Sequence, residues 1–404
     1  MPAWLPAATD AMTATPTDLL ISVDDHVIEP PTLWTDRAAG AERDRVPHVV
    51  EEDGASIWEY EDVRIPIPGL FVQAGRPEAE IVPELMSYER MRPSYYDPAE
   101  RAKDMDADGV LASLCFPTIP RYCGQTFLEA KDRELALRCL RAYNDWMVDD
   151  WAGGAPGRFI PLVIVPLWDP ALAAAEVRRC ADKGAKAVAF SENPAKLGLP
   201  SIHAKERHWD PFLAAVDETQ LPLCIHFGSS SMVPNTSDDA PIYVSALLSP
   251  LNLVYATADW LFSGQLERYP NLKLCLSEGG IGWIPYVLER AAYVIEHMGW
   301  ARRYDPYDYS HRERDGLGPA ATPLELFRDH IFGCFIDDPI GIRNLDAIGV
   351  DNVMIETDYP HGDGTFPHSQ ENARRLLAGL DDESRYKIMQ GNARRVFNLT
   401  EESR

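Results

Sequence analysis

Histidines and carboxylates gather at a few points along this 404-residue chain, each where an apolar run ends. The first is LLISVDDHVIEP, which places Asp24, Asp25, His26 and Glu29 within six positions. Carboxylates that close repel one another unless a positive partner sits among them. Further on, AFSENP carries Glu192, LCIHFGSS carries His226, LCLSEGG carries Glu278, and MIETDYPHGDG carries Asp358 and His361. Imidazole and carboxylate donors of this kind suit a divalent transition metal. Taken singly they have ordinary explanations. His226 could be a hydrogen-bonded structural residue, Asp358 a helix cap, Glu278 a turn-holding acid, and Asp25 reads as a solvated loop acid. Asp24 and His26 lie two apart, hence on the same side of a strand. Together with His226 and Asp358 they predict a metal centre whose cation offsets the clustered acids, with His26 binding as neutral imidazole.

Such donors meet only if the elements carrying them converge. Eight short apolar runs recur: LLISVD, GVLASLCF, FIPLVIVPL, AKAVAFS, LPLCIHF, LKLCLSE, IFGCFID and VMIETD. Helical patterns separate most of them. Near-continuous apolar strands indicate burial on both faces and a parallel sheet. Eight such units predict a (β/α)8 TIM barrel of α/β class, an open doubly wound sheet being the alternative. In a barrel, active sites form at the C-terminal strand ends, where these polar residues fall. Residues 1–18 read as a disordered leader and 19–404 as one barrel domain. Within it, about 33–97, rich in Pro, Trp and Tyr, reads as an insertion after the first strand that caps the barrel mouth. The tail DDESRYKIMQGNARRVFNL reads as a closing helix.

Composition narrows the partners. A net charge of -25 argues against nucleic acid and against an anionic membrane. It leaves room for a small anionic substrate in a local cationic pocket. Seven cysteines are scattered singly, no apolar run is long enough to span a bilayer, and the first basic residue is Arg37. These features predict a reduced, cytoplasmic protein. No G-x-S-x-G elbow, P-loop or G-x-G-x-x-G stretch is present, and Cys224 and Cys275 lie inside apolar strands. The loops SYERMRPSYYDP and FPTIPRYCGQTF supply Tyr, Phe and Arg for a partly apolar pocket, with Arg121 the candidate to grip an anionic group.

The chain resembles the amidohydrolase superfamily, in the branch of aminocarboxymuconate semialdehyde decarboxylase and related aromatic-acid decarboxylases. The resemblance rests on D-x-H at Asp24 and His26, HFG at His226, and PNLKL before the sixth strand. It continues through GG-x4-PY-x3-R from Gly279 to Arg290, TDYP at Asp358, and GNARRVF near the end. It implies Asp24, His26, His226 and Asp358 as ligands of zinc or manganese. It also implies a homodimer in which Arg290 reaches a neighbour's substrate carboxylate, unless Arg290 is a surface residue paired with Glu289. One departure stands out. Relatives carry H-G-G with a proton-transferring His, where this chain has Glu278. With Glu29, Glu192 and His361, Glu278 could complete a second metal site, the donor set of a non-haem diiron centre. Two activities follow from the resemblance. The first is a hydrolase or carboxy-lyase cleaving a C–C or C–X bond of a small carboxylate- or carbonyl-bearing substrate, with Glu278 moving the proton. The alternative is a diiron monooxygenase of the same fold hydroxylating an acyl-thioester (CoA) intermediate in natural-product biosynthesis. A non-catalytic barrel would need no such donor set.

Overall fold

Each of the eight apolar runs forms a strand, and almost every residue in them is buried. The computed structural model describes residues 18–77, 80–81, 83–298, 300 and 321–399. The expected leader, except Asp18, lies outside the described residues. The barrel strands are β1 (Leu20–Val27), β5 (Val110–Pro117), β6 (Phe159–Ile160) with β7 (Leu162–Val163), β8 (Ala187–Ser191), β9 (Leu223–His226), β10 (Leu274–Ser277), β11 (Ile331–Phe335) and β12 (Val353–Ile355). All neighbouring pairs among them are parallel, in the orders β1-β5-β6 and β7-β8-β9-β10-β11-β12.

Two seams join these sheets into a (β/α)8 barrel. At the first, Pro161 lacks an N–H and splits one strand into β6 and β7, which pair with different neighbours. Its carbonyl still accepts from Lys186 N at 2.9 Å. At the second, just past β12, Asp358 N donates to the Asp24 carbonyl at 3.0 Å and His26 N to the Tyr359 carbonyl at 2.6 Å. The ring therefore closes through residues singled out as metal donors.

The outer helices begin and end on local signals. In the helices Pro98–Asp108 and Pro170–Lys183, an aspartate (Asp97, Asp169) accepts from the first free backbone amides and proline occupies the first turn. Each stops at a glycine in the left-handed region, Gly109 at φ 74° and Gly184 at φ 108°.

Between β1 and β5 the chain forms an antiparallel sheet of β2 (His48–Glu52), β3 (Ala55–Tyr60) and β4 (Val63–Pro66). This segment meets the barrel at the C-terminal ends of β1 and β12. Tyr88 Oη donates to the Glu29 carbonyl at 2.5 Å, and Gln73 N and Ala74 N both donate to the Pro360 carbonyl at 3.0 Å. All seven cysteines are buried thiols. Among the described residues no helix is long and apolar enough to cross a membrane.

Candidate metal centre

Six of the expected donors converge at the barrel mouth. Asp24 and His26 come from β1, and His226 ends β9. Glu278 follows β10, while Asp358 and His361 follow β12. His26 Nε2 lies 3.7 Å from Asp24 Oδ1, 3.8 Å from Glu278 Oε1 and 3.2 Å from Asp358 Oδ1. His226 Nε2 lies 3.6 Å from Asp24 Oδ2 and 3.5 Å from Glu278 Oε2. His361 Nδ1 is 2.8 Å from Asp358 Oδ1 and 3.9 Å from Glu278 Oε1. The donors fall into two overlapping groups. One is Asp24, His26 and His226; the other is His26, Glu278, Asp358 and His361.

The chemistry of this set fits a divalent cation. Both carboxylate oxygens of Asp24 and the Nε2 atoms of His26 and His226 are buried without a hydrogen-bond partner among the described residues. Leaving one such polar atom unpaired costs on the order of 1–3 kcal/mol. Four directed at one another cannot be a resting arrangement of an empty core. His226 Nδ1 lies 2.6 Å from the Phe227 carbonyl, which places the proton on Nδ1 and leaves the Nε2 lone pair facing the cluster.

Electrostatics point the same way. Burial pulls the imidazoles of His26 and His226 down to about 4, so both are neutral near pH 7. Burial, reinforced by the neighbouring acids, pushes Asp24, Asp358 and Glu356 well above the usual carboxylate range. Burial also disfavours the charged imidazole of His361, yet Asp358 and Glu278 outweigh it and raise His361. Protons thus fill the place of missing positive charge. A bound cation would release them, since metal ligation requires the deprotonated donors.

Strain and support surround the cluster. Glu278 (φ 57°) and Asp358 (φ 55°) both occupy the left-handed region, which costs a non-glycine residue of order 1–3 kcal/mol. The turn at Glu278 is held by Glu356, whose Oε1 and Oε2 accept its backbone N–H at 3.1 and 3.3 Å. Gly279 follows because a Cβ there would meet Leu253 Cδ1 at 2.8 Å. Behind the acids lies Arg101, 1% exposed, donating to the His26 carbonyl at 2.6 Å with its guanidinium 4.1 Å over the Tyr359 ring.

Several expectations need correction. Asp25 is no solvated loop acid. It is buried and accepts from Ser22 Oγ (3.0 Å), Thr357 Oγ1 (2.6 Å), Tyr359 N (3.0 Å) and Ser113 Oγ. Of the second-metal candidates, Glu278 and His361 join the cluster but Glu29 and Glu192 do not. Glu29, which burial raises to about 7, accepts from Thr118 N and Ile119 N at 3.1 and 2.9 Å. Glu192 is taken up by the hydroxyls of Ser229 and Ser230 and by Asn252 Nδ2. Arg121 pairs with Glu129 and touches Ser231 Oγ at 3.3 Å. Arg290 lies exposed on the helix Ile284–His297, its guanidinium 4.9 Å from the Tyr293 ring, and forms no ion pair with Glu289.

The loop FPTIPRYCGQTF supplies pocket aromatics as expected, in Phe116 and Tyr122, whereas Phe71 and Glu356 escaped the sequence reading. Tyr122 stacks on His226 with ring centroids 4.1 Å apart, Phe116 lies 5.0 Å from the same ring, and Phe71 lies 5.3 Å from His361. They give the cluster an aromatic wall. For Glu356, alternation with Asp358 on the strand end was the available signal.

Fold and donor cluster together define a metal-dependent enzyme built on a (β/α)8 barrel. The chain belongs to the amidohydrolase family, which it matches over residues 23–399. It is 27% identical over 315 residues to gamma-resorcylate decarboxylase of Rhizobium sp. (strain MTP-10005), covering 74% of this chain and 86% of that one. Among solved structures it superimposes on an amidohydrolase from Mycobacterium avium subsp. paratuberculosis K-10 with TM-score 0.67 and 20% identity, over 95% of this chain and 99% of that one. A dihydroxybenzoic acid decarboxylase from Polaromonas sp. JS666, holding manganese and the inhibitor 2-nitroresorcinol, gives TM-score 0.60 at 18% identity, over 95% and 98% of the two chains.

His226→Ala and Asp358→Ala are each expected to lose bound metal and activity while keeping an assembled barrel. Elemental analysis beside far-UV circular dichroism checks this, and full occupancy in both variants would refute the ligand assignment. Glu356→Gln keeps an acceptor for the Glu278 amide and is expected to hold metal nearly as well as the parent. Glu356→Leu removes the acceptor and should weaken metal binding by about 10–100-fold, the scale of outer support for a ligand. Equal affinity in the two variants, by competition with a chelating dye, would assign Glu356 no such role.

Proposed function

We propose that this enzyme is a metal-dependent carboxy-lyase that removes CO2 from a small carboxylate-bearing substrate, with C–X hydrolysis the related possibility at the same site. The observation that carries the reading is the cluster of unpaired buried donors facing one another at the barrel mouth. The decarboxylase names of its relatives, one of them holding manganese, support carboxylate chemistry. In this reading Asp24, His26, His226 and Asp358 hold one zinc or manganese ion. Such an ion polarises carboxylate and carbonyl oxygens of a substrate.

The chain's own residues do the rest. Tyr122, Phe116 and Phe71 form an apolar wall that suits a flat, partly apolar substrate and limits water. Glu278 stands where similar decarboxylases carry histidine. Burial disfavours its charge, but the surrounding histidines, with His361 the one held protonated, outweigh that and keep its carboxyl well below the usual carboxylate range. It is therefore set to take a proton from the substrate and return it to the carbon that loses CO2. The C–C bond breaks, its electron pair stays on that carbon, and the proton from Glu278 replaces the carboxylate.

One observation favours a second reading. Glu278 reaches both donor groups, Oε1 facing His26 and His361 and Oε2 facing His226. With His361, the donors suffice for two ions, as in the diiron monooxygenase acting on an acyl thioester. We also propose a cytoplasmic homodimer. The helices Ile242–Leu248 and Ile284–His297 expose Ile242, Tyr243, Leu247, Tyr286 and Tyr293, an apolar display that includes the helix of Arg290.

Metal content separates the two activities. One zinc or manganese per chain with CO2 release from a hydroxybenzoate such as 2,6-dihydroxybenzoate supports the carboxy-lyase. Two irons per chain with dioxygen uptake would replace it. Glu278→Gln should keep its metal and lose turnover by about 100-fold or more on the first reading. On the second it should lose about half its metal, an amide being the poorer ligand. Light scattering at micromolar concentration is expected to give a dimer, and a fully active monomer would contradict the proposed pairing.

A further inference from the structure

A groove of about 440 Å³ opens on the same face of the barrel as the metal donors. It is built from the loops that follow four adjacent strands. Leu128 to Arg133 lie beyond β5, Trp168 beyond β7, Lys196 to Leu199 beyond β8, and Ser230 to Met232 beyond β9. Its volume lies in the range of small-molecule sites.

Two basic side chains, Arg133 and Lys196, line it. The chain carries -25 overall, and among the described residues many basic side chains lie against acids. Lys196 makes no ion pair among the described residues. Arg133 has no acid partner there either. Its Nη1 donates to the carbonyls of Phe127 and Leu128, and the guanidinium plane lies 5.0 Å over the Trp168 ring. Its Nε and Nη2 are left for a ligand. At the rim Arg121 and Glu129 neutralise each other. The groove thus holds two uncompensated cations in a strongly negative molecule, and a local field of that sign draws anions despite the net charge.

The groove and the metal centre share the loop that follows β9. Ser230 and Ser231 belong to the loop that begins at His226. Arg121, bonded to Ser231 Oγ, is the chain neighbour of Tyr122, which stacks on the His226 imidazole. Ser230 and Ser231 line the groove together with Lys196 and Arg133, so the loop that leaves His226 forms one of its walls. A substrate no larger than a hydroxybenzoate would leave this groove unused.

We propose that the groove is a subsite for the anionic tail of an extended substrate, a phosphate or a second carboxylate held between Lys196 and Arg133. The proposal rests on the carboxy-lyase reading only for what sits at the tail's far end, and the binding measurement needs no turnover.

Phenyl phosphate and phenylacetate, titrated separately into the metal-loaded protein by calorimetry, test it. Binding of phenyl phosphate assigns a phosphate tail and binding of phenylacetate a carboxylate tail. Binding of neither overturns the proposal. The bound probe should weaken at least tenfold in Lys196→Glu and in Arg133→Gln, and in the parent as salt rises. It should bind His226→Ala as tightly as the parent, because that change strikes the metal centre and not the groove. Unchanged affinity in Lys196→Glu, or affinity lost in His226→Ala, would place the probe at the metal and overturn the subsite.

Discussion

Five carboxylates packed behind one barrel mouth, nearly out of reach of water, set the terms for the rest of this structure. Asp24, Asp25, Glu356 and Asp358 are all but fully buried, and the Glu278 side chain is 10% exposed. Buried charge of one sign must be neutralised, hydrogen-bonded or protonated. The chain uses different means for different acids. Asp25 is surrounded by hydroxyl and amide donors. Glu356 accepts a backbone amide. Asp24, Glu278 and Asp358 face three histidines, and that group is the one a cation completes. The Arg101 guanidinium adds fixed positive charge beside the end of β1, bonded to the His26 carbonyl.

The same residues also close the barrel. The backbone bonds from Asp358 to Asp24 and from His26 to Tyr359 are the seam between last and first strands; three of those four residues are donors and the fourth, Tyr359, is next to one. Ring closure and donor geometry are therefore one structural feature. It explains why left-handed backbone is tolerated at Asp358, while at Glu278 the Glu356 carboxylate holds the turn. The seam holds Asp358, so local strain there has nowhere to relax without opening the ring.

The strands were legible because burial on both faces leaves an uninterrupted apolar run, and all eight such runs became strands. The pairing of Asp24 with His26 followed from strand alternation alone. What stayed hidden depended on distant partners. Asp25 looks like a loop acid until Ser113, on β5, and Thr357, beyond β12, arrive with their hydroxyls. Glu29 and Glu192 share the residue type of a ligand, but backbone amides and serine hydroxyls from other loops occupy them first. Arg101 lies in the polar-looking helix PAERAKDMDAD, where nothing local signals that its guanidinium runs inward beneath His26.

The seam has a consequence for how the protein is made. Its two halves stand near opposite ends of the chain, Asp24 and His26 at one and Asp358 and His361 at the other. A ribosome adding roughly 5–20 residues per second takes on the order of tens of seconds to pass from the first pair to the second. Throughout that interval the early acids face a half-built ring with no completing partners. The full donor set therefore exists only after the last strand has been made, and the seam and the site are completed in one step.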